Sequence, residues 1–571
     1  MSTQRHMFAS VAPGRPSVRA AYETWLEAHS PGDAAGVSAD AAPLDPRQLE
    51  VGIVGAGMAG LYAALLLQSV GAAVHVFEAD PTRLGGRVYT HRFAEQDNQY
   101  FEAGAMRLPH IPEQQPVFDL IDWLGERVAP DRRVETIPYV LYDDSGNRVF
   151  VNGRRRRDGG VMSVDYANVH PEELGFPLAP ADQRKTASQL LDEELGPFLK
   201  LLEDDFERGF REIVAYDNFS LHAYLAQVAG WSEDKINYVE TMTSQTNQFQ
   251  HSFTELMIEN MDFSTAGWRT IVHGMDRLPR ACGDVIGAQN ITFGAAVHQL
   301  ELLADGRVAV HHVAACEPAV FDRVIAAVPP AALRMCQTPR WSPTKEHAVR
   351  ALHFEPLYKI GMRFRTRFWE QVANPSRGGQ SITDLPSRWF VYPSYGIGDD
   401  GPGVLLLYAW MTDAAGWSPQ SEDDRVRLAL RDLDAVYGGE VDVHDLFIEA
   451  FDVAWASEWA TGDAMFFPGQ FRQLFNAARL PEGSIYFAGE HLSVHHTWIV
   501  GALDSALLAC QQLLADPRLA PLTPRGAGPR RPHTYDYRGC ADAVALALPG
   551  GRPPGTPADV PARRWQFAHG K

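Results

Sequence analysis

The sequence predicts an α/β protein in which a discontinuous Rossmann-like domain is interrupted by a mainly helical insertion and joined to a separate α+β domain. Three observations predict it. A short apolar strand, a glycine-rich turn, an apolar helix and a second strand follow one another between Leu49 and Phe77. The strand-then-helix theme returns at Ser484–Ala488 and Gly501–Leu514. Between them, residues 112–260 read mostly as amphipathic helices, separating the first β-α-β unit from later strands.

Taken in order, residues 1–48 are rich in Ala, Pro and Ser and read as an arm with one helical patch, Ala20–His29. The first unit comprises strand Leu49–Val54, helix Met58–Val70 and strand Ala73–Phe77. In the insertion, Lys185–Gly209 and Ser220–Thr241 each read as a helix. Strands are expected at Ile291–Val297, Arg307–Val313 and Arg323–Val328. A further set covers Lys359–Phe364, Trp389–Tyr392 and Val404–Trp410, and a helix over Ser421–Tyr437 opens on a Ser with acids in its first turn. Beyond Asp516 the chain is rich in Pro, Gly and Arg, with one apolar patch at Ala541–Leu548, and reads as irregular. The Arg154–Arg157 run reads as an exposed loop.

A chain of 571 residues exceeds one ordinary core, so two or three domains are expected. Apolar residues at 45% and charged residues at 21% are the balance of a globular protein. The formal net charge of -20 repels phosphate backbones and argues against nucleic acid as a partner. Five cysteines, Cys282, Cys316, Cys336, Cys510 and Cys540, lie far apart without CxxC spacing, so neither a disulfide framework nor a zinc site is expected. No metal ligand set is expected elsewhere. The N-terminus lacks a continuous apolar core of a signal peptide, and no stretch approaches the roughly 20 apolar residues of a membrane span. A cytoplasmic protein without membrane partners is the expectation, and the sequons at Asn218 and Asn290 read as incidental.

The chemistry begins at Gly55-Ala-Gly57-Met-Ala59-Gly60. The first glycine permits the tight turn, the second lets a pyrophosphate reach the backbone, and the third lets helix and strand pack closely. The helix N-terminus offers unpaired N–H groups to the phosphates. Glu78 ends the second strand, where a carboxylate accepts from a ribose diol and disfavours a 2′-phosphate. These features imply a dinucleotide without separating NAD from FAD.

Two further segments make that separation. Leu84-Gly85-Gly86-Arg87 lies just past Glu78, and Ile485-Tyr-Phe-Ala-Gly489-Glu490 leads into the last helix. Together with the glycine turn they resemble the fingerprints of the flavin amine oxidase family. That resemblance implies FAD as cofactor, the GGR stretch against pyrophosphate and flavin, and the late Gly-Glu on the phosphate and ribityl side. It also implies cofactor contacts from Ala105, Met106, Arg107, Val297, Trp498 and Ile499. The domains it implies are FAD-binding parts at 49–111, 261–344 and 461–516, a mainly helical domain at 112–260 and a substrate-binding domain at 345–460. The arm 1–48 and the tail 517–571 lie outside it.

The resemblance narrows at Glu102-Ala-Gly-Ala-Met-Arg107-Leu-Pro109, which is similar to a G-x-M-R-L-P of L-amino-acid oxidases whose arginine binds the substrate carboxylate. A guanidinium suits that role because it is permanently charged and grips a carboxylate bidentately. The segment Thr383-Asp-Leu-Pro-Ser-Arg388, followed by Trp389-Phe-Val-Tyr392, is again similar, and places the Tyr392 hydroxyl on the same carboxylate. Tyr358-Lys359-Ile360 matches the strand whose lysine holds a water against the flavin. At His495-His496-Thr497-Trp498 the Thr497 carbonyl would take the substrate amine and Trp498 would wall the pocket, although Thr497 departs from the family's usual Gly or Ala.

The implied reaction is oxidative deamination of an L-amino acid by dioxygen to a 2-oxo acid, ammonia and hydrogen peroxide. Glu259, Asp463 and the small Ala464 would favour a long basic side chain, as of Lys or Arg. Two alternatives stay open: an L-amino-acid 2-monooxygenase giving amide and carbon dioxide, toward which Leu407–Ala414 leans, and a flavin-binding redox sensor or scaffold without turnover. Family habit implies a homodimer or higher homo-oligomer.

Overall fold

The computed structural model describes residues 48–516, apart from 95–96, 144–145, 155–161, 164–168, 246, 264–266 and 456–461. The expected patches at Ala20–His29 and Ala541–Leu548, Cys540 and most of the Arg154–Arg157 run lie outside the described residues. The molecule is mixed α/β. Its five-stranded sheet has the order Ile291–Thr292, Ala73–Phe77, Glu50–Val54, Arg323–Ala326, Ile485–Phe487. Every pairing in it is parallel, so segments hundreds of residues apart in sequence form one sheet. The two central strands Glu50–Val54 and Arg323–Ala326 bury nearly every residue, as a parallel sheet covered on both faces requires.

Helix Met58–Ser69 follows the first strand and is buried around most of its circumference, because it packs against helices Arg277–Ile286 and Ile499–Leu514 as well as the sheet. A Cβ on Gly60 would stand 1.9 Å from the Gly55 carbonyl oxygen, so no larger residue fits this strand–helix crossing. Helix Gln115–Gly125 turns Val117, Leu120, Ile121 and Leu124 into the same core.

A seven-stranded sheet runs in the order Phe447–Ala454, Leu357–Phe364, Gly403–Trp410, Trp389–Val391, Gln380–Thr383, Arg148–Phe150, Met162–Ser163. One face packs on helix Glu422–Tyr437 through Phe390, Leu405, Leu407, Leu433 and Val436. The Ser421 hydroxyl caps that helix by accepting from the Asp424 N–H, as its sequence signature predicts. A three-stranded sheet places Trp268–Ile271 between Leu108–Pro109 and Thr136–Pro138.

The helical stretch differs from its sequence reading in two ways. The expected helix Lys185–Gly209 is two, Ala187–Asp204 and Phe206–Ala215. Asp205 leaves helical geometry and its carboxylate caps the second helix by accepting from the Arg208 N–H. Ser220–Thr241 likewise divides into Leu221–Gln227 and Glu233–Met242, with Ser220 and Ser232 each capping its own helix and Gly230 at φ 70° between them. Within 112–260 the structure also contains strands Thr136–Pro138, Arg148–Phe150 and Met162–Ser163, which are too short to show an alternation and join two different sheets. Ile291–Val297 is divided similarly, into Ile291–Thr292 and a strand that begins at Val297. The four described cysteines are free thiols, and no helix among the described residues is long and apolar enough to cross a membrane.

Candidate active site

One long cavity runs from the carboxyl end of the parallel sheet to the inner face of the seven-stranded sheet. Gly55, Gly57, Ala59, Glu78, Gly85, Gly86, Arg87 and Val297 line one part of it. Ala105, Met106, Arg107, Glu259, Lys359, Asp463, Gly489, Glu490, Thr497, Trp498 and Ile499 line the remainder. Gly60 and Ala464 sit behind the lining: Gly60 packs the turn, and Ala464 is fully buried with its N–H on Glu490 Oε1 at 3.2 Å.

The turn end has the form of a phosphate cradle. Gly55 holds φ 99° and donates its N–H to the Phe77 carbonyl at 2.8 Å. A Cβ on Gly57 would meet nothing within 4 Å, so the backbone there faces open space, and the helix it caps has no side-chain cap. Gly85 donates its N–H to the Ala56 carbonyl at 2.8 Å, which lays the GGR stretch across the turn. The Glu78 carboxylate accepts from the Ala56 N–H at 2.8 Å and the Asp80 N–H at 2.9 Å, leaving lone pairs for a diol. Burial raises its carboxyl above the usual range against those two bonds. This cradle, with its orphaned helix N–H groups and ribose-side acid, fits a dinucleotide.

Farther along, Arg87 Nη1 donates to Glu490 Oε1 and to the Gly462 carbonyl, both at 2.7 Å. Glu490 Oε2 accepts from the Thr497 N–H at 3.1 Å. Burial drives the Glu490 carboxyl upward, but Arg87, His496 and His491 outweigh it and hold it below the usual range. Thr497 itself has φ 70°, the left-handed region that a β-branched residue rarely occupies.

The seven-stranded sheet supplies the opposite wall by register. Lys359 pairs with Tyr408 and Tyr408 with Trp389, so these three side chains stand abreast on one face. Lys359 is 3% exposed, and its Nζ donates to the Gly104 carbonyl at 2.5 Å and, more weakly, to the Glu102 carbonyl at 3.4 Å. Burial, then the nearby Arg107 charge, pulls this ammonium down to about 7. Arg107 is 8% exposed within a ring of Phe263, Trp268 and Trp389, whose centroids lie 5.2, 5.6 and 5.6 Å from its guanidinium carbon. Its Nη1 has no hydrogen-bond partner among the described residues. Trp498 packs on Phe263 and Trp268 at 5.4 and 5.9 Å, which closes the aromatic ring around the guanidinium.

Tyr392 does not join this site. Its hydroxyl is engaged in the core with Ser381 at 2.7 Å and Tyr437 at 2.5 Å, and the residue is fully buried. Alternation explains the error: Trp389 faces the cavity, whereas Phe390 and Tyr392 pack on the far side against helix Glu422–Tyr437. Sequence reasoning also missed Trp389, Tyr408, Phe263, Gln248 and Glu355, all in the cavity wall. Glu355 is 2% exposed and its carboxylate accepts from Gln248 Nε2 at 3.1 Å. Burial, then Asp463 and Glu259, pushes its carboxyl well above the usual range, and burial with Glu490 raises Asp463 to about 7. A Glu in a segment without periodic signal carries no mark of such an environment, so no feature of the sequence singles out Glu355.

Residues 58–514 match the model of the flavin-containing amine oxidoreductases. A Dictyostelium discoideum protein named as a bifunctional amine oxidase is 33% identical over 501 residues, and the match covers 82% of this chain but only 46% of that relative. A Bacillus subtilis protein named as an L-amino-acid oxidase is 31% identical over 80% of this chain and 92% of its own length. L-amino-acid oxidase 4 of Hebeloma cylindrosporum is 30% identical over 82% and 83%. Among solved structures, putrescine oxidase bound to putrescine shares the fold with a TM-score of 0.63 at 18% identity, covering 82% of this chain and 99% of that one. The chain therefore belongs to the flavin-containing amine oxidoreductase family, and its cofactor is FAD.

Proposed function

We propose that this flavoprotein is an L-amino-acid oxidase that converts an L-amino acid, dioxygen and water to a 2-oxo acid, ammonia and hydrogen peroxide. The observation that carries the reading is Arg107: a buried guanidinium, walled by aromatic rings and facing the cavity, with a donor that no described residue accepts. An uncompensated buried charge is costly, and a substrate carboxylate is the partner it suits. Amines without a carboxylate would leave it unmatched. Relatives named as L-amino-acid oxidases support the same assignment.

In this reading Arg107 binds the carboxylate, and the Thr497 carbonyl accepts from the substrate amine. Trp498, Trp389 and Tyr408 exclude water and confine the Cα between them. Bound FAD supplies the two-electron oxidation. Lys359, with two backbone carbonyls already on its Nζ, has one N–H left for the cavity and sits near its ionisation midpoint at neutral pH, so it can hold or release a proton there. Glu259 and Asp463 line the same cavity as Arg107 and would favour a cationic side chain, so Lys and Arg are the proposed preferred substrates.

Peroxide and ammonia release from the purified yellow protein across the L-amino acids, with D-lysine, putrescine and tyramine as controls, tests the assignment. Turnover confined to L-amino acids is expected, highest with Lys or Arg. Turnover of putrescine or tyramine alone would refute the role given to Arg107.

A further inference from the structure

We infer that the buried pair Glu255–His496 is a positioning device that joins three walls of the substrate cavity and holds Thr497 in its left-handed conformation. The inference rests on reading this cavity as the substrate site. His496 Nδ1 lies 3.0 and 2.9 Å from the two carboxylate oxygens of Glu255, and both side chains are 2% exposed. Glu255 Oε2 also accepts the Phe466 N–H at 2.8 Å. The Phe466 carbonyl accepts the Ser252 N–H at 2.9 Å, so the Phe466 backbone is tied on both sides to the start of helix Phe253–Asp262. The His496 ring lies nearly parallel to Phe471, at 13° and 5.4 Å, and 4.3 Å from Phe466, which fixes its plane.

Each of the three segments joined here carries cavity residues close by. Helix Phe253–Asp262 bears Glu259 one turn beyond Glu255, on the same face. Asp463 is three residues before Phe466, and Thr497 and Trp498 follow His496 directly. Thr497 has φ 70°, and a non-glycine residue stays there only where its surroundings over-determine it. Two anchors do so: Glu490 holds its N–H from the cofactor side, and the Glu255–His496 pair holds the preceding residue from the helix side. Without the second anchor, the Thr497 carbonyl is free to rotate away from the substrate amine, while Arg107, on another segment, keeps the Trp268 and Trp389 rings beside its guanidinium.

Glu255→Gln, His496→Gln and the double variant test this in the FAD-loaded protein. Anaerobic flavin reduction by saturating L-lysine should slow roughly 10²-fold in each, the cost of about an ångström of misplacement. The Kd of benzoate, a carboxylate without an amine, should stay at the wild-type value. The double variant should be no slower than either single, because the two groups act as one unit. Hydrogen exchange in peptides spanning 496–499 should quicken in Glu255→Gln, although the substitution lies on a helix far away in sequence. Wild-type reduction rates with only a lowered Tm, or unchanged exchange at 496–499, would overturn the inference. If Glu255→Gln does not fold, Phe471→Leu, which removes only the ring face, takes the same measurements. A wild-type flavin that no L-amino acid reduces would instead sink the substrate reading, and the exchange result then decides the pair by itself.

Discussion

Replacing Arg107 by Met removes the guanidinium yet keeps an unbranched side chain against Phe263, Trp268 and Trp389. The expected kinetic loss follows from the burial of the site. With the cation gone, the substrate carboxylate enters a cavity closed by aromatic rings and finds no opposite charge. Stripping one partner from a buried ion pair costs about 3–5 kcal/mol. At about 1.4 kcal/mol per tenfold, kcat/KM for an L-amino acid falls on the order of 10²–10⁴-fold. Stability should respond in the opposite sense. Arg107 is 8% exposed and one of its donors is unmatched, so its loss in the substrate-free protein removes a desolvation cost, and the Tm should hold or rise. Steady-state peroxide assays with L-lysine and L-leucine, beside thermal melts of the FAD-loaded protein, check both signs. A variant within about threefold of wild type on L-amino acids would refute the carboxylate role. Loss of the bound flavin from the variant would show a general defect instead.

Three further outcomes are expected. Tyr392→Phe should leave kcat/KM unchanged and cost about 1–3 kcal/mol of stability, because it strips a partner from the buried Ser381 and Tyr437 hydroxyls; urea melts and peroxide assays check it together. Lys359→Met should remove an ionisation near pH 7 from the kcat profile, since burial and Arg107 bring that ammonium down to about 7; stopped-flow traces across neutral pH show whether the inflection persists. Asp463 is raised to about 7, so it is charged above that pH and neutral below it, and a cationic side chain binds the charged form better. The ratio of kcat/KM for L-lysine to that for L-leucine should therefore rise with pH through 7, and a flat ratio, or the same rise in Asp463→Asn, would count against the acidic subsite.

The glycine turn, Glu78, the GGR stretch and the Gly489-Glu490 entrance were legible because each depends on a local backbone demand: a positive φ, a close approach or a helix N-terminus. Arg107 and Lys359 were legible through their motifs, and the cavity contains both. Helix breaks at Asp205 and Gly230 were not, because apolar spacing continues through a turn when both helices pack on the same core.

The chain's own order thus determined the β-α-β units, the glycine turn with Glu78 beside it and the charged groups available to the cavity, since those follow from residues adjacent in sequence. Only tertiary structure decided which face of strand Trp389–Val391 meets the cavity, admitting Trp389 and turning Tyr392 into the core. It alone set Lys359, Tyr408 and Trp389 abreast, through the register of three strands. It alone enclosed Glu355 and Asp463 together, where burial rather than residue type governs their charge. A strand's alternation is written in its sequence, but which of its two faces is inward depends on what packs against it.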